Sequence, residues 1–206
     1  MASGTPQRSG RGNGRVDRDP YDLDQVLAIA AVLFNERGYD ATSVGALAAR
    51  LGTSKSAIYY HVKGKEELLQ LALERAIGGL EQVLSEPGAD QGTALEQLEY
   101  VVRGAVRVLV NDLPFVTLLL RLRGNTEVER DAMLRRRAFD RAVSSLVEAA
   151  RAEGSLREDI DAATSTRLLF GMINSIVEWY RPDGALDEGQ LEDVIVTAAF
   201  EGIRAH

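Results

Sequence analysis

Thr42–Leu69 reads TSVGALAARLGTSKSAIYYHVKGKEELL, and this stretch decides the kind of molecule the chain makes. Thr42 or Ser43 supplies a capping hydroxyl to a short helix whose inward positions are Leu47, Ala48 and Leu51. Gly52 ends that helix, because a residue with no Cβ takes the left-handed turn that a sharp stop requires. Ser54 then caps a second short helix, from about Lys55 to Tyr60, which turns Ile58 inward. Two short helices held at an angle across a glycine turn make a helix-turn-helix.

In such a unit the second helix lies in the major groove of DNA. Its outward positions here are Lys55, Ser56, Ala57, Tyr60 and His61. Small residues at 56 and 57 let the backbone approach base edges, where a hydroxyl can bond either kind of base and a methyl can touch thymine. Phosphate oxygens set the register on the duplex. Thr42, Ser43 and Ser54 stand at helix N-termini, where unpaired N–H groups and the positive dipole end favour an anion. Tyr59, Tyr60 and His61 add donors at the far end, and Lys63 and Lys65 add charge beyond it. Each has a plainer reading beside it: the hydroxyls as simple caps, Tyr59 as a core residue with only its hydroxyl outside, and His61 as a packing or surface residue.

Outward from this centre the pattern stays helical. Upstream, Asp22 with Gln25 forms a capping-box signal, and Val26, Ala30, Leu33 and Phe34 make one stripe that Gly38 stops. Downstream, Lys65 opens a helix to about Leu84, and Ser85–Gly92 reads as a loop. Further helices are expected at about 93–111, 114–123, 126–153, 161–181 and 187–204, with Pro114 in a first turn, Thr126 capping and Gly154 closing. No alternating strand pattern or fixed-period repeat is present. The expected fold is all-α: a three-helix head on a larger helical body, about nine helices in all.

Composition narrows the function. Of 206 residues, 45% are hydrophobic and 27% charged, values ordinary for a globular protein. No apolar run is long enough to span a bilayer, and the basic N-terminal stretch lacks an apolar core for export, so a cytoplasmic location is expected. Cysteine is absent, which removes disulfides, thiolate zinc sites and thiol nucleophiles. With one internal histidine, no glycine-rich phosphate loop and no metal-ligand spacing, neither a cofactor nor a metal is expected, and an enzyme is disfavoured. Charge is divided unevenly: residues 1–65 carry net +3 and residues 66–206 net −10, against −7 for the whole chain. Only the N-terminal third therefore suits a polyanion. Residues 1–19, with Arg8, Arg11, Arg15 and Arg18 among glycine and serine, read as a flexible basic arm that could track phosphates or remain a solvated tail. A sequence-indifferent architectural protein using that arm is the rival reading.

From about Val26 to Leu71 the chain resembles the DNA-binding region of TetR-family transcriptional regulators. The resemblance rests on Phe34–Tyr39, Thr42, Ala48-Ala49, Gly52, Ser54-Lys55-Ser56-Ala57-Ile58-Tyr59-Tyr60-His61-Val62 and Lys65-Glu66-Glu67-Leu68. Two positions depart from the family pattern. Gly45 lowers the helix propensity of the first short helix by roughly 1 kcal/mol relative to alanine. Val62 stands where phenylalanine is frequent, which implies lighter packing. The resemblance implies a DNA-binding region at 20–66 and a body at 67–206 that dimerises and holds a small-molecule effector. It implies a homodimeric repressor released from a palindromic double-stranded operator.

The body's sequence is compatible with that implication. Leu168, Met172 and Ile176, with Leu191, Val194, Ile195, Ala198 and Gly202, form apolar stripes on the last two helices and are the expected dimer interface. Polar residues within apolar stretches, and their neighbours, are the expected effector contacts: Arg103, Arg107, Phe115, Leu119, Arg121, Met172, Asn174 and Trp179. Arg135-Arg136-Arg137 follow Glu127, Glu129 and Asp131 at helical spacing and read as a solvated, ion-paired face. The WYRPDG segment at 179–184 resembles TetR-family regulators of fatty-acid, sterol or aromatic-acid breakdown, several of which respond to acyl-coenzyme A thioesters. It implies an acyl-CoA-like or related hydrophobic anion as effector, with a drug-like hydrophobic molecule as the alternative.

Overall fold

A computed structural model describes residues 21–159 and 161–203; the arm at 1–19, with its four arginines, lies outside the described residues. Among those described, nine α-helices follow one another: α1 Leu23–Arg37, α2 Val44–Leu51, α3 Lys55–His61, α4 Lys65–Ser85, α5 Ala94–Asn111, α6 Leu113–Leu120, α7 Glu127–Ala152, α8 Ala162–Trp179 and α9 Glu188–Ile203. The local signals set most of these boundaries. Asp22 and Gln25 bond reciprocally to each other's backbone N–H at the start of α1, and Thr93 with Glu96 does the same for α5. Thr126 and Asp161 cap α7 and α8, and Asp187 exchanges bonds with Gln190 ahead of α9.

Three boundaries differ from expectation. The loop after α4 contains a single 3-10 turn, Pro87–Asp90, with Ala89 tucked into the core. Helix α6 ends at Leu120, not near residue 123, because the chain turns there into the capped start of α7. Helix α8 stops at Trp179, since Tyr180 is extended and buried and Pro182 follows.

Helix α4 is the axis of the molecule. Its Leu69, Ala72, Ala76 and Ile77 are fully buried, and it packs against α1, α5, α6 and α7. Gly104 of α5 lets the two backbones approach closely: a Cβ there would overlap the side chain of Val83. The head rests on the body through α1, which lies on α6 and α4. Asn35 Nδ2 donates to the Pro114 carbonyl at 2.7 Å. Arg75 of α4 bonds Asp112 at 2.6 Å and reaches Asp24 at 3.4 Å, tying the head's first turn to the α5–α6 corner. Helix α2 packs on α1 and carries α3 outward.

The last two helices correct part of the expected interface. Ile176 and Leu191 are 0% exposed and Ile195 is 5% exposed, because α9 packs back on α5 and closes the chain's own core. They are not available to a second subunit. Leu168, Trp179 and Val194 are instead exposed at 63%, 49% and 51%, beside exposed Ala198. Met172 is half-buried against the core. Gly202 lies in α9, but its surroundings fall outside the described residues.

Candidate nucleic-acid interface and body cavity

The reading helix is built by three local devices. Gly52 takes φ 67° and ψ 27°, and its N–H together with that of Thr53 returns to carbonyls at the end of α2. Ser54 then accepts from the Ala57 N–H at 3.2 Å, and Ile58, 1% exposed, plugs α3 into the head. Val62 closes α3 in extended conformation and is buried. Outside, Ser54, Lys55 and Ser56 are exposed, Tyr59 is 52% exposed and Tyr60 82%. Tyr59 is therefore not a core residue. The Tyr60 and His61 rings meet edge to face. Among the described residues, two of the six exposed large hydrophobic side chains are these tyrosines.

Two expected phosphate contacts are corrected. Ser43, not Thr42, caps α2, accepting from Ala46 N–H at 3.1 Å while staying exposed. Thr42 is 3% exposed, its hydroxyl donates to the Gly38 carbonyl at 2.8 Å and its N–H donates to the Tyr39 carbonyl. With both donors used internally, Thr42 has none to offer a phosphate. Lys65 turns back on the head: its ammonium donates to the Tyr39 carbonyl at 2.9 Å and sits 4.1 Å from the centre of the Tyr39 ring. Lys63 remains exposed at the head of α4, where its N–H donates to the Glu67 carboxylate.

In the body, Leu119 and Asn174 line a small apolar pocket of 30 Å³ with Leu80, Leu109, Phe139 and Phe170. It shares Arg136, Asp140, Phe170 and Asn174 with a groove of 530 Å³ between α7 and α8. The other expected effector residues lie elsewhere. Arg103 reaches across to α9 and pairs with Asp193 at 2.7 Å. Arg107 lies within electrostatic reach of Glu192 and Tyr100. Arg121 follows the last turn of α6, is exposed, and faces Glu178 at 3.5 Å. Phe115 is buried beneath the guanidinium of Arg75. Met172 does not line the pocket, and Trp179 projects from the far end of α8, bonding Ser175 Oγ.

The arginine triplet is not one solvated face. Arg135 leaves its own helix and bonds Glu74 and Glu81 of α4 at 2.5 and 2.6 Å, which holds both carboxylates below the ordinary glutamate range. Glu129 is buried, accepting from the N–H groups of Gly124 and Asn125. Arg136 and Arg137 belong to the groove, with Arg141 and Arg167. Sequence reasoning missed this group; the available signal was Arg137, Arg141 and Ser144 recurring on one face of α7.

Residues 26–72 match the family model described as bacterial regulatory proteins, tetR family, and residues 91–203 match the tetracyclin repressor-like C-terminal domain. A TetR-family regulator from Streptomyces coelicolor A3, solved by crystallography, is 50% identical, superposes with TM-score 0.81, and aligns over 91% of this chain and 94% of its own. The transcriptional repressor KstR2 of Rhodococcus jostii is 26% identical, over 87% of this chain and 89% of its own length. AibR, whose structure was solved in complex with isovaleryl coenzyme A and operator DNA, is 25% identical, with TM-score 0.69 over 85% of this chain and 96% of its own. With both of its halves matched in order, the chain belongs to the tetR family of bacterial regulatory proteins and is a DNA-binding transcriptional regulator.

Proposed function

We propose that the protein is a homodimeric repressor that acts in the cytoplasm and leaves a palindromic operator when a small hydrophobic anion of the acyl-coenzyme A type enters its body. The observation that carries this reading is the exposed, sparsely decorated outer face of α3, opened by Ser54 and ended by Tyr59 and Tyr60. On this reading residues 20–66 are the DNA-binding unit and residues 67–206 bind effector and partner. Ser43, Ser54, Tyr59, Tyr60, His61 and Lys63 contact phosphates, and Lys55, Ser56 and Ala57 face base edges. Leu168, Trp179, Val194 and Ala198 meet their counterparts on a second subunit, so that two reading helices stand about 34 Å apart, or a multiple of that, on successive half-sites.

The similarity to KstR2, named a repressor, supports repression, and the similarity to AibR supports a thioester effector. Leu80 supports the coupling: it lines the apolar pocket and sits on α4, the helix whose first residue, Lys65, grips the head. An apolar group forced into 30 Å³ would displace α4 and with it α3. A hundredfold loss of DNA affinity requires about 2.7 kcal/mol of such coupling.

Selection from random duplexes with the purified protein tests the reading. A palindromic site bound at least about a thousandfold more tightly than random DNA at physiological salt is expected. Equal affinity for every duplex would instead leave a sequence-indifferent DNA-binding protein.

A further inference from the structure

Six of the fourteen described arginines of the body have an acidic partner. Arg75, Arg103, Arg121, Arg135, Arg151 and Arg157 all form ion pairs. Arg136, Arg137, Arg141 and Arg167 form none among the described residues, and all four line the groove between α7 and α8. Only one carboxylate, Asp140, shares that lining. Four guanidiniums against one acid is a local excess of three positive charges, set in a body of net −10. Such a concentration of one sign in a concave site is costly unless an anion answers it.

The groove has the right size and continuity for a small ligand. Its 530 Å³ lies within the range of small-molecule sites. Four of its lining residues, Arg136, Asp140, Phe170 and Asn174, also line the apolar pocket. Arg167 stands about 100° around α8 from exposed Leu168, so the groove and the proposed dimer stripe are neighbouring surfaces, not one surface. Ser144 and Asn174 supply neutral hydrogen-bonding groups at its sides. Burial raises the Asp140 carboxyl above its ordinary range, which weakens its repulsion of an incoming anion.

From this arrangement we infer that the α7–α8 groove is a phosphate-binding subsite, in which Arg137, Arg141 and Arg167 hold the phosphorylated carrier of a short acyl thioester while the acyl end enters the pocket beneath. Arginine suits this role because its planar fork pairs two phosphate oxygens at once. The inference rests on the effector reading above and adds the residues, the direction of entry and the class of head group. Arg136, half-buried with its Nη1 donating to the Leu119 carbonyl at 3.4 Å, marks the junction between polar head and apolar tail.

The test uses the full-length protein and its Arg137→Gln/Arg141→Gln and Arg167→Gln variants, in which only exposed side chains change. Calorimetric titration with coenzyme A, 3′,5′-ADP, isovaleryl coenzyme A and free isovalerate separates head group from tail. Expected is binding of coenzyme A and of the nucleotide to the wild type, weakening as salt rises, with at least a tenfold loss in the double variant and unchanged operator affinity without ligand. Coenzyme A bound equally by both variants, or not bound by the wild type, overturns the subsite. If isovaleryl coenzyme A releases wild type and variants from the operator alike, the subsite fails while the effector reading stands. If coenzyme A binds through these arginines and no thioester alters operator binding, the subsite stands and the effector reading fails.

Discussion

The side chain of Lys55, first residue of α3, lies across the bare backbone of Gly45 in α2, so close that a Cβ at 45 would come within 2.8 Å of its Cε. The glycine that weakens α2 as a helix is thus the place where the reading helix's first cation rests. Alanine at 45 should stabilise α2 by about 1 kcal/mol through propensity, less the cost of moving Lys55. Expected is a larger rise in Tm for Gly45→Ala in a Lys55→Ala background than in the wild type, with a coupling of about 0.5 kcal/mol. Thermal unfolding of the four proteins of this cycle measures it. Equal gains in both backgrounds would show that Lys55 does not rest on Gly45.

Thr42 and Lys65 act inside the head, and their substitution should be read in stability. Thr42→Val removes a buried hydroxyl bonded to the Gly38 carbonyl and should cost about 1 kcal/mol, or roughly 2–4 °C in Tm for a chain of this size. Lys65→Ala removes the tether to Tyr39 and should likewise lower Tm. Neither should reduce the salt dependence of DNA binding, whereas Lys63→Ala should reduce the slope by about 0.9. A slope lowered by Lys65→Ala and untouched by Lys63→Ala would reverse these assignments.

What could be read from residues alone follows physical range. Caps and turns act over three or four positions, so Asp22, Ser54, Gly52 and Thr126 announced their helices. Thr42 beside Ser43 was ambiguous because two adjacent hydroxyls offer the same cap, and only tertiary burial decides which one turns inward. Periodicity reports that a helix face is apolar but not what covers it. Ile176 and Leu191 close the chain's own core while Leu168 and Val194, with the same chemistry, stay outside. Arg135 pairs with glutamates 61 and 54 positions earlier, a distance at which helical spacing carries no information. The neighbouring arginines were therefore assigned to local acids, and the groove they line stayed hidden.

The Arg135 bridge between α7 and α4 has a pH signature. Glu74 and Glu81 lie below the ordinary glutamate value of 4.5 in the folded chain, chiefly through their hydrogen bonds to Arg135. A carboxylate whose folded pKa is depressed contributes its full stability above the unfolded value and loses it as pH falls through the folded one. All three side chains are partly exposed, so the bridge is worth about 1 kcal/mol after solvent screening. Arg135→Gln should therefore melt roughly 2–4 °C below the wild type at pH 7, with the gap closing as the pH falls below 4.5. A gap that persists unchanged in acid would mean that Arg135 stabilises by packing instead.

The exposed apolar stripe of α8 and α9 makes the clearest demand on quaternary structure. Leu168 and Val194 are each more than half exposed on helices whose inner faces are already buried, so replacing them leaves the core of the chain intact. A charge at 168 would be buried without a partner in a two-fold interface, and its copy would face it from the second subunit. Leu168→Arg should therefore yield a folded monomer with far-ultraviolet circular dichroism like that of the wild type. Its affinity for a palindromic operator should fall on the order of a hundredfold or more, because each reading helix then binds its half-site alone. Sedimentation equilibrium and operator titration on the same preparation check both. A Leu168→Arg protein that remains a dimer with full operator affinity would place the interface on a different face of the body.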